Sequence, residues 1–174
     1  MIFKESIYII KAHHLESIGL IVMLIGVERK WSVMSNNFLG ESKHTLENGC
    51  RLIIPLRFRS FLQPEFVLFK SPDGCVSMYD IESFNDIMAQ LRGLAGTKEG
   101  RAQIRVAMRA ARYISPDKQG RFTIPADYIS YASLGESVYL IGAGNKVEIW
   151  SEEAYIEQGG NEELTPDKFP EIYY

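Results

Sequence analysis

Hydrophobic and polar positions along the chain form a pattern that predicts short strands joined by turns, with short helices between them. Apolar runs at 51–54 and 121–124 are each followed by a proline. Proline suits the first turn of a helix because its missing N–H would be unpaired there, so short helices are predicted over 56–62 and 126–132. The pattern predicts a mainly β fold with helices, of the α+β class.

Turn sequences separate further runs that are rich in valine, isoleucine, phenylalanine and tyrosine. Residues 71–74 read Ser-Pro-Asp-Gly, and residues 142–145 read Gly-Ala-Gly-Asn. Turn residues between two such runs predict a hairpin at each place. The glycines at 142–145 do not predict a dinucleotide-binding loop, since Val147 stands where the third glycine would be.

The chain repeats itself. When residues 44–55 are aligned with residues 114–125, at an offset of 70 positions, arginine meets arginine and proline meets proline. The offset becomes 71 further on, where 76–79 aligns with 147–150. Because a drift of one residue belongs in a loop, the match indicates a tandem duplication of one structural unit.

Each copy carries an acid four residues before an arginine, at the turn that leads into its short apolar strand. The pairs are Glu47 with Arg51 and Asp117 with Arg121. Such a pair can be a surface ion pair that stabilises the fold by at most about 1 kcal/mol. It can also orient a guanidinium toward a DNA groove, where arginine bonded to guanine O6 and N7 is the commonest base-specific contact. The recurrence of the pair in equivalent places gives weight to the second interpretation.

A helical stretch lies between the copies. Apolar residues at helical spacing predict an amphipathic helix, which residues 93–100 interrupt, and a second helix is predicted over 101–112. The residues of the apolar face are Ile81, Phe84, Ile87, Met88 and Leu91.

The second predicted helix carries four arginines within an arc of about 80°. Three interpretations of this stripe stay open. It is a solvated face, it pairs with the acidic tail of the same or a neighbouring chain, or it contacts phosphates, which the arginine fork suits. The four residues are Arg101, Arg105, Arg109 and Arg112.

Composition is that of an ordinary folded chain, but charge is unevenly distributed. Of 174 residues, 46% are hydrophobic and 24% are charged, which argues against disorder and against several membrane spans. The net charge is −3, yet residues 151–174 hold seven acids and one base, so the rest carries 18 bases and 15 acids. Residues 98–121, which include Lys118, hold seven bases and two acids. The net charge is therefore compatible with an anionic partner.

Residue types that carry catalysis or hold metals are sparse. Cys50 and Cys75 are too few for a disulfide framework, so both are predicted to be small buried or half-buried side chains in a reducing compartment. His44 stands alone and is predicted to be a strand residue, while His13 and His14 lie near the N-terminus. No nucleophile elbow, P-loop or metal-ligand spacing occurs. The sequence therefore predicts a protein that is not an enzyme and uses no cofactor and no metal.

The first 33 residues do not resemble the rest of the chain. Their apolar run at 18–26 has nine residues, well short of the roughly 20 that cross a bilayer. Glu5 and Glu16 argue against a secretory signal, whose first part is basic. Two interpretations stay open: an extra helix or strand packed on the core, or a start codon assigned too early, with Met34 as the natural start.

Three segments carry a resemblance to a known family. Residues 38–41 read Phe-Leu-Gly-Glu, residues 117–125 read Asp-Lys-Gln-Gly-Arg-Phe-Thr-Ile-Pro, and residues 144–150 read Gly-Asn-Lys-Val-Glu-Ile-Trp. These segments resemble the MraZ family of bacterial transcriptional regulators, whose DxxxR element is matched at 117–125, and the resemblance covers 38–155. The first copy departs from the family: residues 47–51 read Glu-Asn-Gly-Cys-Arg, where the family has aspartate and a glycine directly before the arginine.

The resemblance implies two SpoVT/AbrB-like swapped-hairpin units, which form a duplicated double-split β-barrel. The expected organisation is an N-terminal extension over 1–37, a first unit over 38–86, a helical linker over 87–111, a second unit over 112–156 and an acidic tail over 157–174.

The resemblance also implies a function. It implies a cytoplasmic, nucleoid-associated repressor that binds double-stranded DNA at promoter repeats of the division and cell-wall gene cluster. It further implies a ring-shaped homo-oligomer and no membrane association. DNA contact is carried over to the two turn arginines, and the paired acids and the basic stretch complete the predicted site. The predicted DNA-binding residues are Arg51, Arg121, Glu47, Asp117, Arg101, Arg105, Arg109 and Lys118.

An alternative interpretation is a protein-interaction module of the antitoxin type. AbrB-like folds also serve as antitoxins, whose acidic tails wrap a partner, and residues 157–174 form an acidic tail in this chain. A solvated end that aids solubility explains the same tail. The duplication favours the regulator, because antitoxins of this fold usually carry a single copy.

Overall fold

The computed structural model describes residues 38–163, 165, 167 and 168, and both interpretations of residues 1–33 lie outside this part of the chain. In the described residues, strands and short helices alternate as expected, and the α+β class is confirmed. No helix there is long and apolar enough to cross a membrane. The elements are β1 (Glu41–Thr45), β2 (Arg51–Ile53), α1 (Leu56–Leu62), β3 (Phe66–Lys70), β4 (Val76–Asp80), α2 (Ile81–Arg92), α3 (Lys98–Ala110), β5 (Ala111–Ile114), β6 (Arg121–Thr123), α4 (Ala126–Tyr131), β7 (Ser137–Gly142), β8 (Val147–Ser151) and α5 (Glu152–Glu157).

Prolines and polar caps begin the helices. Pro55 precedes α1 with φ of −54°, and Pro125 precedes α4 with φ of −62°, as the sequence predicts. The side chains of Asp80, Thr97 and Ser151 each accept a hydrogen bond from the backbone N–H three residues on, at 2.8, 2.9 and 3.2 Å. These bonds satisfy N–H groups that a helix start leaves unpaired, and they begin α2, α3 and α5.

The predicted helix over 101–112 is wrong at both ends. α3 covers Lys98–Ala110, because Thr97 caps it three residues earlier than expected. Residues 111–114 are extended and pair with β3, so pairing with a largely buried strand overrides the helical spacing of the arginines. Arg112 lies on β5, where its Nη1 is 3.6 Å from Asp127 Oδ1. The stripe on α3 therefore has three arginines.

All strand pairs within the described residues are antiparallel, and the two copies exchange strands. The main sheet has six strands in the order β1-β7-β8-β4-β3-β5, and β2 pairs with β6 in a separate two-stranded sheet. β1 of the first copy pairs with β7 of the second, and β5 of the second pairs with β3 of the first. Each predicted hairpin, β3–β4 and β7–β8, is thus completed by the first strand of the other copy. The unit boundaries within 38–156 stay a prediction.

Both copies contribute to one hydrophobic core. It is formed by β2, β6, α1, α4 and the sheet strands β3, β4, β7 and β8, and its mixed origin ties the copies together energetically. Its members include Leu52, Phe58, Phe66, Met78, Phe122, Tyr128, Leu140 and Ile149.

The apolar face predicted for the first long helix is confirmed. Phe84 and Met88 of α2 are buried in a second cluster with Val67 and Tyr79 of β3 and β4. The other three apolar residues of this face are partly buried at the edge of the same cluster. α2 therefore covers the outer side of the hairpin that ends the first copy.

The cysteines and His44 lie where the sequence predicts. Cys75 is buried and Cys50 is half-buried, and both are free thiols. His44 lies in β1, with Nε2 at 2.8 Å from Ser42 Oγ. These three side chains belong to the scaffold.

Candidate nucleic-acid interface

β2 and β6 form a two-stranded ribbon, and its outer face carries one arginine from each copy. Neighbouring residues of a strand point to opposite faces. Leu52 and Phe122 lie opposite each other and are buried beneath the ribbon, so the residues on either side of them point outward. The outer face consists of Arg51, Ile53, Arg121 and Thr123.

Arg51 and Arg121 are diagonal neighbours on this ribbon. Arg51 lies opposite Thr123, and Thr123 is two residues from Arg121 along β6. Residues in this diagonal relation are about 7–8 Å apart. Backbone bonds extend the pairing at both ends. The isoleucine N–H that follows each strand donates to the carbonyl directly before the other copy's arginine, at 2.9 and 2.8 Å. The fold therefore brings the two predicted arginines to the same face.

The turn of the second copy is a closed hydrogen-bonded unit. Asp117 Oδ1 accepts from the backbone N–H groups of Gln119 and Arg121, both at 2.9 Å, and Asp117 Oδ2 accepts from Arg121 Nε at 2.7 Å. Arg121 Nη2 lies 3.3 Å from Gln119 Oε1. Gly120 has φ of +77°, a region that glycine adopts without steric cost. These bonds fix the orientation of the Arg121 guanidinium, although the side chain is 40% exposed.

The same bonds hold the pKa of the Asp117 carboxyl below its ordinary value of 3.8. The backbone N–H of Arg121 has the largest effect, followed by its side chain. A lowered folded-state pKa contributes stability that is present above about pH 3.8 and is lost as the pH falls through the folded pKa. We expect an NMR titration of this carboxyl to have its midpoint below 3.8, and Arg121→Ala to move the midpoint upward. An unchanged midpoint in that variant would show that the ion pair is absent in solution.

The turn of the first copy has a different backbone and lacks the side-chain bonds. Arg51 N–H donates to the Glu47 carbonyl and Glu47 N–H donates to the Arg51 carbonyl, both at 2.8 Å. Asn48 and Gly49 both have positive φ, at 51° and 69°. The side chains of Glu47 and Arg51 are exposed and form no hydrogen bond or ion pair within the described residues. The predicted acid–arginine pair is therefore made in the second copy and not in the first.

The remaining predicted residues divide between two places. Lys118 is exposed in the second turn, beside Asp117. Arg101, Arg105 and Arg109 are exposed on α3, which precedes β5, whereas the turn follows β5. The four residues of β5 span about 13 Å, so α3 and the turn lie at opposite ends of this strand. The structure does not bring the helix arginines to the ribbon.

One residue of α1 and the residue that caps its C-terminus contact the second turn, and the sequence analysis predicts neither contact. The Arg59 guanidinium packs against Gly120, and Gln63 Nε2 donates to the Asp117 carbonyl at 3.3 Å. Their spacing of four residues places them on one side of a helix. That spacing is the only sequence signal, because the contact joins the first copy to the turn of the second.

The arrangement suits contact with DNA. The major groove of B-DNA admits a two-stranded ribbon, and a guanidinium can donate two hydrogen bonds to guanine O6 and N7. The outer face of the ribbon offers two such groups together with an exposed apolar side chain, Ile53. No group of three or more metal-ligating side chains occurs in the part of the chain that the structure describes.

Sequence comparisons find similarity to known proteins. The model of a family described as "MraZ protein, putative antitoxin-like" matches residues 107–165, which include the second turn and β6. A protein of Acetivibrio thermocellus named "Transcriptional regulator MraZ" is 36% identical over 135 residues, 77% of this chain and 94% of the relative.

Two further relatives carry the same name. That of Clostridium acetobutylicum is 37% identical over 121 residues, 69% of this chain and 85% of the relative. That of Thermoanaerobacter sp. (strain X514) is 37% identical over 134 residues, 76% of this chain and 94% of the relative. All three names describe regulators, in agreement with the prediction that the protein is not an enzyme. At this identity and coverage, the chain belongs to the MraZ family.

Proposed function

We propose that this protein is a sequence-specific DNA-binding regulator of transcription and that the ribbon formed by β2 and β6 enters the major groove. The observation that carries the proposal is the diagonal pair of outward arginines, one from each copy, on a ribbon anchored by buried Leu52 and Phe122. The names of the relatives support regulation of transcription.

We propose the target and mode of action from the family resemblance. The target is a set of promoter repeats in the division and cell-wall gene cluster, and the effect is repression. A protein acting there works in the cytoplasm and associates with the nucleoid. Repeated DNA sites gain affinity from repeated subunits, because the second contact of an assembly is intramolecular.

Arg101, Arg105 and Arg109 are proposed to contact phosphates beside the groove. Arg105 and Arg109 are exposed and form no hydrogen bond or ion pair within the described residues, and Arg101 Nη1 donates to the Ala95 carbonyl at 2.9 Å. Phosphate contacts position a protein without specifying sequence. Each is expected to contribute to the salt dependence of binding and not to the choice of site.

Fluorescence anisotropy tests the proposed function. The protein is titrated into a labelled duplex from directly upstream of its own gene and into a scrambled duplex, across a salt series. Binding to the native duplex that persists at moderate salt supports the proposal. Equal, steeply salt-dependent binding to both duplexes would leave only phosphate attraction and would contradict sequence specificity.

We also propose that the chain assembles into a ring and that α3 contributes to the contact. Of the 13 residues of α3 only Gly100 is buried, and Val106 and Met108 are 56% and 45% exposed. Val106 lines a groove of about 760 Å³ together with Phe69 and Tyr131. An exposed apolar groove of this kind marks a contact surface. A head-to-tail contact between unlike surfaces closes into a ring when the rotation permits.

Val106→Glu should dissociate the assembly, because it places a charge in the apolar groove. Light scattering after size-exclusion chromatography should then give the mass of a single 19.8 kDa chain. Leu39→Glu is the matched control, since Leu39 is 68% exposed and lies outside the groove. An unchanged mass for Val106→Glu would rule out this groove as the contact.

The description of the matched family as antitoxin-like favours one second candidate, a protein partner held by the acidic tail. Truncation after Gly160 tests it, because the hydrogen bond that the Tyr155 hydroxyl donates to the Gly160 carbonyl is retained. Loss of a stoichiometric partner on truncation, with DNA binding absent from both forms, would favour the second candidate over the regulator.

A further inference from the structure

We infer that the two arginine turns have different tasks on DNA. Arg121 contacts a base and determines sequence preference, whereas Arg51 contacts phosphate. Arg59 and Gln63 of the first copy are positioning residues, which hold the turn that carries Arg121. This inference rests on the proposed function and assigns the contacts within it.

The Arg121 guanidinium is fixed from within its own turn. Asp117 receives three hydrogen bonds from the turn, one of them from Arg121 Nε at 2.7 Å, and Gln119 lies beside Arg121 Nη2. Simultaneous bonds to guanine O6 and N7 need one orientation of the guanidinium plane. A side chain that already has its orientation loses little conformational freedom when it binds.

α1 fixes the same turn from outside. A Cβ at Gly120 would lie 2.3 Å from Arg59 Nε, so the guanidinium of Arg59 rests directly on the turn backbone. Arg59 Nη2 donates to the Ile54 carbonyl at 3.0 Å, and Arg59 Nε is buried without a hydrogen-bond partner in the described residues. The bond from Nη2 and the contact with Gly120 together hold Arg59 in this place. Gln63 adds the bond to the Asp117 carbonyl.

The first turn has no equivalent support. The residues that correspond to Arg59 and Gln63 in the second copy are Ile129, which has no donor, and Ser133, whose hydroxyl makes no hydrogen bond within the described residues. The position that aligns with Gly120 is Cys50, and a Cβ added at the neighbouring Gly49 would meet nothing within 4 Å, so no side chain packs against the first turn at Gly49. The Arg51 guanidinium forms no bond to the Glu47 carboxylate within the described residues. A guanidinium without a fixed orientation suits phosphate, because phosphate contacts position a protein without reading the base sequence.

The first experiment compares Arg121→Ala with Arg51→Ala on the operator duplex and on a scrambled duplex. We expect Arg121→Ala to raise the Kd for the operator by about 10- to 100-fold and to change the Kd for scrambled DNA far less. We expect Arg51→Ala to weaken binding to both duplexes similarly and to lower the slope of log Kd against log salt by about one. If both variants change the ratio of the two Kd values equally, the division of tasks is wrong.

The second experiment tests the positioning residues with a matched pair of arginines. Arg59→Ala and Arg57→Ala remove the same charge from the same helix. Arg57 donates to Ser42 Oγ at 2.8 Å and forms no hydrogen bond or ion pair with the second turn within the described residues. Arg59→Ala should lower several-fold the ratio of the Kd for scrambled DNA to the Kd for the operator. The slope of log Kd against log salt should be the same for Arg59→Ala and Arg57→Ala. Arg57→Ala should leave the ratio unchanged.

Two controls distinguish a failure of this inference from a failure of the variant to fold and from a failure of the proposed function. Gln63→Ala removes only one hydrogen bond at the exposed end of α1 and should lower the ratio in the same direction if Arg59→Ala fails to fold. Equal ratios in wild type, Arg59→Ala and Gln63→Ala would overturn the positioning role. A wild-type protein that does not distinguish the duplexes would overturn the proposed function itself, whereas specific wild-type binding with equivalent turns would overturn only this inference.

Discussion

Replacing Arg121 with alanine should weaken binding to the operator by about 1–3 kcal/mol, the range for loss of a bidentate contact to one base. The effect is large because the guanidinium is already held by Asp117 at 2.7 Å and has little orientational freedom left to lose. The measurement is the Kd by anisotropy at one fixed salt concentration.

Arg121→Lys is the control that separates charge from geometry. Lysine keeps the positive charge but has no planar fork, so it should recover affinity for DNA in general and not the preference for the operator. Wild-type operator affinity in Arg121→Ala would show that Arg121 does not contact the site. Wild-type preference in Arg121→Lys would show that charge alone is sufficient.

Replacing Phe122 with alanine should lower the free energy of unfolding by about 3–5 kcal/mol, the range for a buried aromatic side chain. Phe122 is 5% exposed beneath the ribbon, and its ring meets that of Phe66 edge-on with centroids 5.0 Å apart. Because the core is shared by both copies, the loss should appear in a single cooperative transition. Unfolding in denaturant measures it.

Thr123→Ala provides the comparison for Phe122→Ala. Thr123 is the next residue of the same strand but points outward, so its replacement should change stability by less than about 0.5 kcal/mol. Two separate transitions, or a loss below 1 kcal/mol for Phe122→Ala, would contradict a core common to both copies.

Local patterns in the sequence predict much of this fold. The turn residues at 71–74, the prolines at 55 and 125 and the apolar spacing of α2 each depend on neighbours within one or two turns of chain, and the structure confirms them. The end of α3 was missed for the opposite reason. Residues 111–114 are extended because β3, more than 40 positions away in the sequence, pairs with them.

The sequence predicts the two arginines of the candidate site but not the residues that surround them. The duplication alone identifies Arg51 and Arg121 as equivalent, but the register of β2 against β6 places them on one face. The turns differ in the position of their glycine and in the length of their acid. The aspartate side chain at 117 is short enough to accept bonds from its own turn, which the glutamate at 47 does not do. The contact of Arg59 with Gly120 joins different copies, and no local pattern indicates it.

The most direct test of base contact by Arg121 is to replace guanines of the operator one at a time with 7-deazaguanine, which lacks the N7 acceptor. At the contacted guanine, wild-type affinity should fall by about 3- to 10-fold, while Arg121→Ala should show no further loss, since the bond is already absent. If every replacement weakens wild type and Arg121→Ala equally, Arg121 does not contact a guanine in the major groove.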